Sequence, residues 1–406
     1  SSPRADLMKS ILTVNGGSSS LKCGLYSIGA DNQLTVGCIL KLGNLLGHPV
    51  QVQIQQGGHE RQTLTLDLSD TGAEQRHQAA LGWVLTWIEQ NLPEHQLIAT
   101  GHRIVHGGDR FSAPTQINDD VMSQLLQFIP LAPLHQPYNL KLIDACRELA
   151  PDLPVVGCFD TMFHTRQPEL ERLYAIPRQM TEAGIHKYGF HGLSYEYIQR
   201  QLVKAGSGDL NTIVCHLGAG ASMCAIRDGH SIASSMGFTA VEGLPMGSRS
   251  GNIDPGVLLY LMREYGMDAD ALESFLYKEC GWNGVSGGIS SEMLALHAAK
   301  HPHAEEAIDL FCYRVALETG RLAAALGGVQ QVVFTGGVGE NDADVRARII
   351  ARYDWLGARL DEQANNQNQP IISTADSALL LRVMPTDEER MIAQQTHERL
   401  TGKQHA

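Results

Sequence analysis

Thr13-Val-Asn-Gly-Gly-Ser-Ser-Ser-Leu-Lys-Cys-Gly-Leu-Tyr26 and, half a chain later, Val214-Cys-His-Leu-Gly-Ala-Gly-Ala-Ser-Met-Cys-Ala-Ile-Arg227 follow one plan. Each has an apolar run, a Gly/Ser-rich turn and a second apolar run, which predicts strand, tight turn, strand. Aligning Ser20 with Ser222 places the copies 202 residues apart in a chain of 406. Glycines in such a turn permit positive φ and close backbone approach, so several N–H groups can converge on an anion. Two copies therefore predict a duplicated fold with a cleft that grips a polyphosphate from both sides; two unrelated hairpins are the plain alternative.

The length exceeds the roughly 250–300 residues at which a single core stops growing, so two domains are expected. No run of 18 apolar residues occurs, and the N-terminus lacks a signal-peptide pattern. Ser1–Leu7, preceding Met8, read as an artificial addition. Eight cysteines lie scattered in apolar runs with no C-x-x-C pair, which predicts buried thiols in a cytoplasmic protein. A net charge of −13 argues against nucleic acid as a partner. Bound phosphates would depend on local Arg, Lys, backbone N–H groups and a divalent cation.

Working outward, residues 10–16, 21–28, 34–42 and 49–54 read as strands, and Gln78–Leu92 as an amphipathic helix. Val155–Phe159 and Gln331–Thr335 read as buried strands, 194–205 and 303–326 as helices, and 211–216 as the start of the second strand set. The last helix is expected near Thr386, with Glu389 completing a capping box. The coarse result is a parallel-rich α/β chain with a duplicated plan.

The turn Asn15–Lys22 is not a Walker A loop, because its serines precede the lysine and a strand follows. Its donors suit a terminal phosphoryl group, whereas Lys22 fits either added charge or a solvent-facing position. His102 and His106 are four apart, but the glycines around them oppose a zinc helix, so Arg103 as an anion binder is the better reading. Asp160 ends an apolar strand, where ligands bind in α/β folds. His191 lies among glycines and an aromatic residue, and both it and Asp160 fit structural or catalytic roles. The glycine-rich segment Met236–Pro255 reads as an ordered loop presenting Arg249, and Gly336–Gly339 as a turn against which a nucleoside can lie.

Together, Asn15–Lys22, His102–Gly108, Leu131–His135, Phe159–His164, Tyr188–Gly192, His216–Gly220, Met236–Pro255, Thr335–Asn341 and Pro385–Glu389 resemble the acetate kinase family of short-chain carboxylate kinases. That family belongs with sugar kinases, Hsp70 chaperones and actin. The resemblance implies an α/β fold of duplicated ribonuclease H-like (actin-like ATPase) domains with the active-site cleft between them. The expected domains are 1–162, with helix 387–406 packing back on it, and a nucleotide-binding 163–386.

The implied reaction is Mg²⁺-dependent phosphoryl transfer from ATP to acetate, giving acetyl phosphate and ADP by direct in-line transfer, with Mn²⁺ as an alternative ion. A homodimer is implied as well. By resemblance, Arg103 and Arg249 hold the carboxylate and the transferring group, Asp160 is the catalytic aspartate, and His191 stabilises the transition state. Val105, Leu134 and Phe190 wall the acyl pocket together with Ala240, where many members have proline. That exchange leaves room for propionate, because a methylene is worth only about 1–3 kcal/mol of discrimination.

Asn15, Ser18, Ser20 and Lys22 match the phosphate loop, and Asn15 and Glu388 the magnesium site, with Glu389 as the structural partner in the helix cap. His216, Gly218, Ala219, Gly220, Glu292, Met293, Leu294, Gly337, Val338 and Asn341 match the nucleotide side. Three departures fall there: Ala219 replaces an asparagine, Glu292 and Leu294 an aspartate and an arginine, and Asn252 an aspartate. Two alternatives therefore stand beside ATP-dependent acetate kinase. One is the same chemistry with pyrophosphate or another nucleotide as donor; the other is a catalytically weakened nucleotide-binding regulator.

Overall fold

The computed structural model describes residues 6–402. Ser1–Ala5 and residues 403–406, which the sequence reading assigned to the artificial addition and the last helix, lie outside the described residues. The chain forms two compact units. One runs to Met162 and resumes at Asp387; the other is Phe163–Thr386.

The first unit holds β1 (Met8–Gly17), β2 (Ser20–Ile28), β3 (Leu34–Gly43), β4 (Val50–Gln55), β5 (Gln62–Leu66), β6 (His95–Ile104), β7 (Thr115–Gln116) and β8 (Val155–Phe159). They form one sheet in the order β5-β4-β3-β2-β1-β6-β8-β7. The second unit holds β9 (Thr212–His216), β10 (Ser222–Arg227), β11 (His230–Ser234), β12 (Gln331–Thr335) and β13 (Leu380–Val383). Their order is β11-β10-β9-β12-β13.

The duplication is legible in these two orders. In β3-β2-β1-β6-β8 the successive pairings are antiparallel, antiparallel, parallel, parallel. The series β11-β10-β9-β12-β13 repeats that sequence of pairings. Ser20 and Ser222 each open the second strand of their hairpin, as the alignment requires. The turns differ, however. β1 and β2 are joined through Ser18 and Ser19, whereas Leu217–Ala221 separate β9 from β10. The second copy is therefore not the tight turn expected from its sequence.

The parallel strands β8, β9 and β12 are buried at every position. Such sheets have both faces covered, and their strands read as unbroken apolar runs. The helix Pro302–Leu326 packs on β9, β10 and β11. Proline at its first turn suits the missing N–H there, and Gly327 closes it at φ 73°.

The helix Glu388–Thr401 covers β1, β6 and β8 in the first unit. Its close approach to β6 requires Gly101, where a Cβ would lie 2.1 Å from the Thr396 hydroxyl oxygen. This contact brings the start of that helix to the ends of β1 and β6. The expected capping box does not form. Asp387 is the N-cap and accepts from the Arg390 amide, while the Thr386 hydroxyl meets Ser194 Oγ at 2.8 Å. An aspartate directly before the helix satisfies the orphan amide itself, which leaves Glu389 for other partners.

Candidate active site

In the first unit the carboxyl ends of β1, β6 and β8 carry Asn15, Arg103 and Asp160. The register sets Arg103 beside Cys158 and Ile104 beside Phe159, and the Asp160 amide donates to the Ile104 carbonyl at 3.0 Å. Arg103 and Asp160 thus leave neighbouring strand ends and meet as a fork. Nε donates to Oδ1 and Oδ2 at 3.1 Å each, and Nη2 to Oδ2 at 2.6 Å. The aspartate side chain is 1% exposed and the arginine 28%. Burial alone would lower the guanidinium's proton affinity, but the Asp160 carboxylate outweighs it and holds the group above its ordinary value.

The row continues sideways. Arg103 Nη1 donates to Asn15 Oδ1 at 3.4 Å, Asn15 Nδ2 to Glu389 Oε1 at 3.2 Å, and Lys22 Nζ lies 3.2 Å from Glu389 Oε2. Glu389 is therefore the partner of Asn15 and Lys22, which corrects its expected place in a helix cap. Glu388, half-buried beside it, is pushed up to about 7. Burial is the main cause; Asp160 and Glu389 add to it, and Arg103 and Lys22 oppose it. Three carboxyl groups thus face two cations here.

A magnesium ion fits that donor set. Asn15 and Glu388 offer hard oxygens, and a dication would offset the burial and the neighbouring carboxylates that together raise Glu388. Ser18 and Ser20 stand exposed at the β1–β2 turn.

Val105, just past β6, is buried, and its amide donates to Asn139 Oδ1 at 2.9 Å. Gln136 holds the neighbouring residue from both sides, accepting from the His106 amide and donating to its carbonyl. Asn139 also donates to the Gly16 carbonyl at 3.2 Å, so one side chain steadies both the Arg103 segment and the β1–β2 turn. Sequence reasoning missed Asn139 and Gln136. Their only signal was two amides at helical spacing on a face otherwise apolar. Leu134 is half-buried two residues before the helix Gln136–Leu149.

His102 lies in β6, bonds Thr100 Oγ1 at 3.1 Å, and is pushed down to about 3 by burial.

In the second unit His191 precedes the helix Gly192–Lys204 with φ 57° and ψ 21°, a left-handed conformation uncommon outside glycine. Strain of this kind marks functional positions when the surroundings enforce it. Its Nδ1 is 2.7 Å from Ser222 Oγ, which also bonds the Tyr195 hydroxyl. Its ring stacks on His216 at 4.3 Å, and His216 Nδ1 bonds Ser194 Oγ at 2.8 Å. Phe190 is buried, its carbonyl meeting His164 Nε2 at 2.8 Å.

The His191 Nε2 and Arg249 Nη2 atoms both face Gly220. A Cβ there would lie 3.6 Å from Nη2 and 3.9 Å from Nε2. Arg249 is held by donation to the Ala240 carbonyl at 3.1 Å and lies over the Tyr277 ring at 5.8 Å. Asn252 closes its loop, accepting from the Gly243 amide and donating its own amide to the Gly243 carbonyl, each at 2.9 Å. The Asn252 departure is thus accommodated in the Arg249 loop.

Two glycine-rich motifs distant in sequence meet at Leu217. Its carbonyl accepts from the Val338 and Gly339 amides at 2.8 and 3.1 Å, and a Cβ on Gly336 would sit 2.7 Å from that oxygen. Gly336–Asn341 is a short helix rather than an open turn, with Asn341 Nδ2 donating to the Gly337 carbonyl. Gly218 is half-buried and Ala219 exposed, the latter's carbonyl accepting from the Gly247 amide. Glu292 is exposed and Leu294 is 83% exposed, whereas Met293 is buried in the core.

One grouping was not anticipated. His297, Asp342 and Asp344 bring their ligand atoms within 4.8 Å of one another. Arg348 Nε is 2.7 Å from Asp344 Oδ2 and already supplies positive charge, so this is an ion-pair cluster.

A family model described as the acetokinase family matches residues 10–394. An acetate kinase of Rhodopseudomonas palustris is 46% identical over 391 residues, 94% of this chain and 96% of that protein. The crystal structure of Porphyromonas gingivalis acetate kinase superposes with a TM-score of 0.86 at 34% identity, covering 97% of this chain and all of that one. A propionate kinase from Francisella tularensis gives a TM-score of 0.88, also at 34% identity, over 96% and 99% of the two chains.

Proposed function

This chain belongs to the acetokinase family, and from that premise we propose that it transfers the γ-phosphoryl group of ATP reversibly to acetate, giving acetyl phosphate and ADP. The observation that carries the reading is the buried Arg103–Asp160 fork at adjoining strand ends.

Phosphoryl transfer needs positioning and charge stabilisation more than covalent chemistry. Acetate is ionised at neutral pH, so no general base is required. Its oxygen forms a bond to Pγ as the bond from Pγ to the β,γ-bridging oxygen breaks, and the electron pair leaves with ADP. Arg103, oriented by Asp160, has its Nη1 edge toward Asn15 and suits the acetate carboxylate. Arg249 Nη2 and His191 Nε2, facing one point above Gly220, suit the equatorial oxygens of the transferring group. Ser222 fixes the His191 ring through Nδ1, and Nε2, which faces Gly220, suits phosphate. Magnesium, when bound by Asn15 and Glu388, would neutralise charge on the phosphate oxygens.

Acetate is the first choice of acceptor and propionate the second. Ala240 contributes only a methyl group beside the arginine that its carbonyl holds. Hydroxylamine trapping of acyl phosphate tests this, with acetate, propionate and butyrate against ATP, GTP and pyrophosphate. Hydroxamate from acetate with ATP is expected. Product only with pyrophosphate would move the donor assignment, and no product with any pair would leave the regulatory reading.

A homodimer is also proposed. Ile253, Val257, Leu259, Tyr260, Met262 and Tyr265, in and beside the helix Pro255–Glu264, are exposed on one short stretch. Such a patch marks an interaction surface. Light scattering should give twice the 44.2 kDa chain mass, and a monomer at micromolar concentration would refute it. A cytoplasmic location is supported by the eight free cysteines.

A further inference from the structure

Beyond β2, the first unit's sheet forms a cavity of about 310 Å³ that adjoins the Asn15–Lys22 segment through Lys22 and Glu389 and extends away from it to Lys41 and Arg61. Its cations are Lys22, Lys41 and Arg61, and its apolar floor is Tyr26, Val36 and Ile39. Lys22 and Lys41 are directly opposed across the β2–β3 ladder. Like charges so placed repel, and the arrangement weakens the sheet unless something negative lies between them.

The carboxylates at the cavity do not supply that charge in full. Asp387 caps its helix and lies 3.5 Å from Arg390 Nε. Glu389 is shared between Lys22 and the Asn15 amide. Among the described residues Lys41 and Arg61 make no ion pair. Burial, then the charges of Lys22 and Arg61, lower the affinity of Lys41 for its proton, and the Glu389 carboxylate opposes them in part.

We propose that this cavity binds a small organic dianion with an apolar body, its charged head between Lys41 and Arg61 and its body on the half-buried Val36 and Ile39. Lys41 and Arg61, both exposed and in no ion pair among the described residues, set the ligand's charge, and the floor sets its apolar part. The head can be a phosphomonoester or a dicarboxylate, since both place two negative charges on one end.

The test is calorimetric titration of the full chain with phenyl phosphate and, separately, with phthalate, at low ionic strength. Mg²⁺ and a non-hydrolysable ATP analogue are present at saturation, so that phosphate sites of the reaction are filled. One-site binding is expected for at least one probe. The double variant Lys41→Ala/Arg61→Ala should bind it at least about tenfold more weakly, as loss of two charge-assisted contacts requires. Inorganic phosphate should bind about tenfold more weakly than phenyl phosphate, for want of an apolar body. Turnover of acetate and ATP should be unchanged in the double variant.

Neither probe binding, equal binding by the double variant, or inorganic phosphate matching phenyl phosphate would overturn the proposal. A probe that binds only without nucleotide, or a variant that loses turnover, would assign the cavity to the reaction instead.

Discussion

Replacing Asp160 by alanine removes the carboxylate that holds Arg103 at the ends of β6 and β8. Three contacts are lost, two at 3.1 Å to Nε and one at 2.6 Å to Nη2, from a carboxylate that is 1% exposed. Breaking a buried ion pair from one side costs about 3–5 kcal/mol, because the remaining charge is left uncompensated. Arg103 keeps Asn15 and the charges of Glu388 and Glu389, so the low end, about 3 kcal/mol, is expected. Urea unfolding at pH 7.5 reads that loss as a lowered midpoint at unchanged slope. Turnover should fall by about 10²–10³, the range seen when a preorganised donor is misplaced. Asp160→Asn retains an acceptor for Nε, so it should recover part of the stability and little of the turnover. If Asp160→Ala lies within about 0.5 kcal/mol and threefold of wild type, the size of an inert surface change, the fork does not organise the site and the reasoning fails.

The raised Glu388 carboxyl gives a pH signature. Between its ordinary 4.5 and about 7 the folded protein holds a proton that the unfolded chain has lost. Raising pH through that window therefore costs the metal-free protein up to about 3 kcal/mol. Magnesium must displace the proton, so its affinity should rise about tenfold per pH unit below 7 and level off above it. Calorimetry in buffers of different ionisation enthalpy should show nearly one proton released at pH 6 and few at pH 8; no release at either pH would contradict the assignment. Ala219→Asn should lower the KM for ATP by about tenfold or more, since a hydrogen bond to a charged group is worth about 1.5–3 kcal/mol. The Ala219 side chain is exposed, leaving space for the amide; an unchanged KM would mean that it does not face the phosphates. Ser222→Ala removes the Nδ1 partner of His191 and should reduce kcat by about tenfold with little change in KM, as for a group acting in the transition state. Ser222→Thr should restore much of it, and equal losses in both variants would point to packing alone.

The duplication was readable because it rests on backbone chemistry: apolar runs, and glycines where two segments approach closely. Ser20 and Ser222 aligned correctly for that reason. The loop Leu217–Ala221 was misread because its length is set by the docking of Leu217 on the helix Gly336–Asn341, a contact more than a hundred residues away in sequence. The helix cap was misassigned because Thr386 and Glu389 met the capping pattern, while the intervening Asp387 performs the cap. Glu389 then turned outward to Lys22 and Asn15, a pairing across 374 residues that no local pattern contains. Arg103 and Asp160 were legible as strand-end residues, but their union depended on the parallel register of β6 and β8. Asn139 and Gln136 were missed, and Ser222 was read only as a strand start, because orienting residues act through others and carry no motif.

The most direct test of the account is phosphorus NMR of the reverse reaction, with the protein mixed with Mg²⁺, ADP and acetyl phosphate. The account predicts that acetyl phosphate disappears as ATP appears in equal amount, with no inorganic phosphate beyond the enzyme-free control. Release of inorganic phosphate without ATP, or an unchanged spectrum, would contradict it.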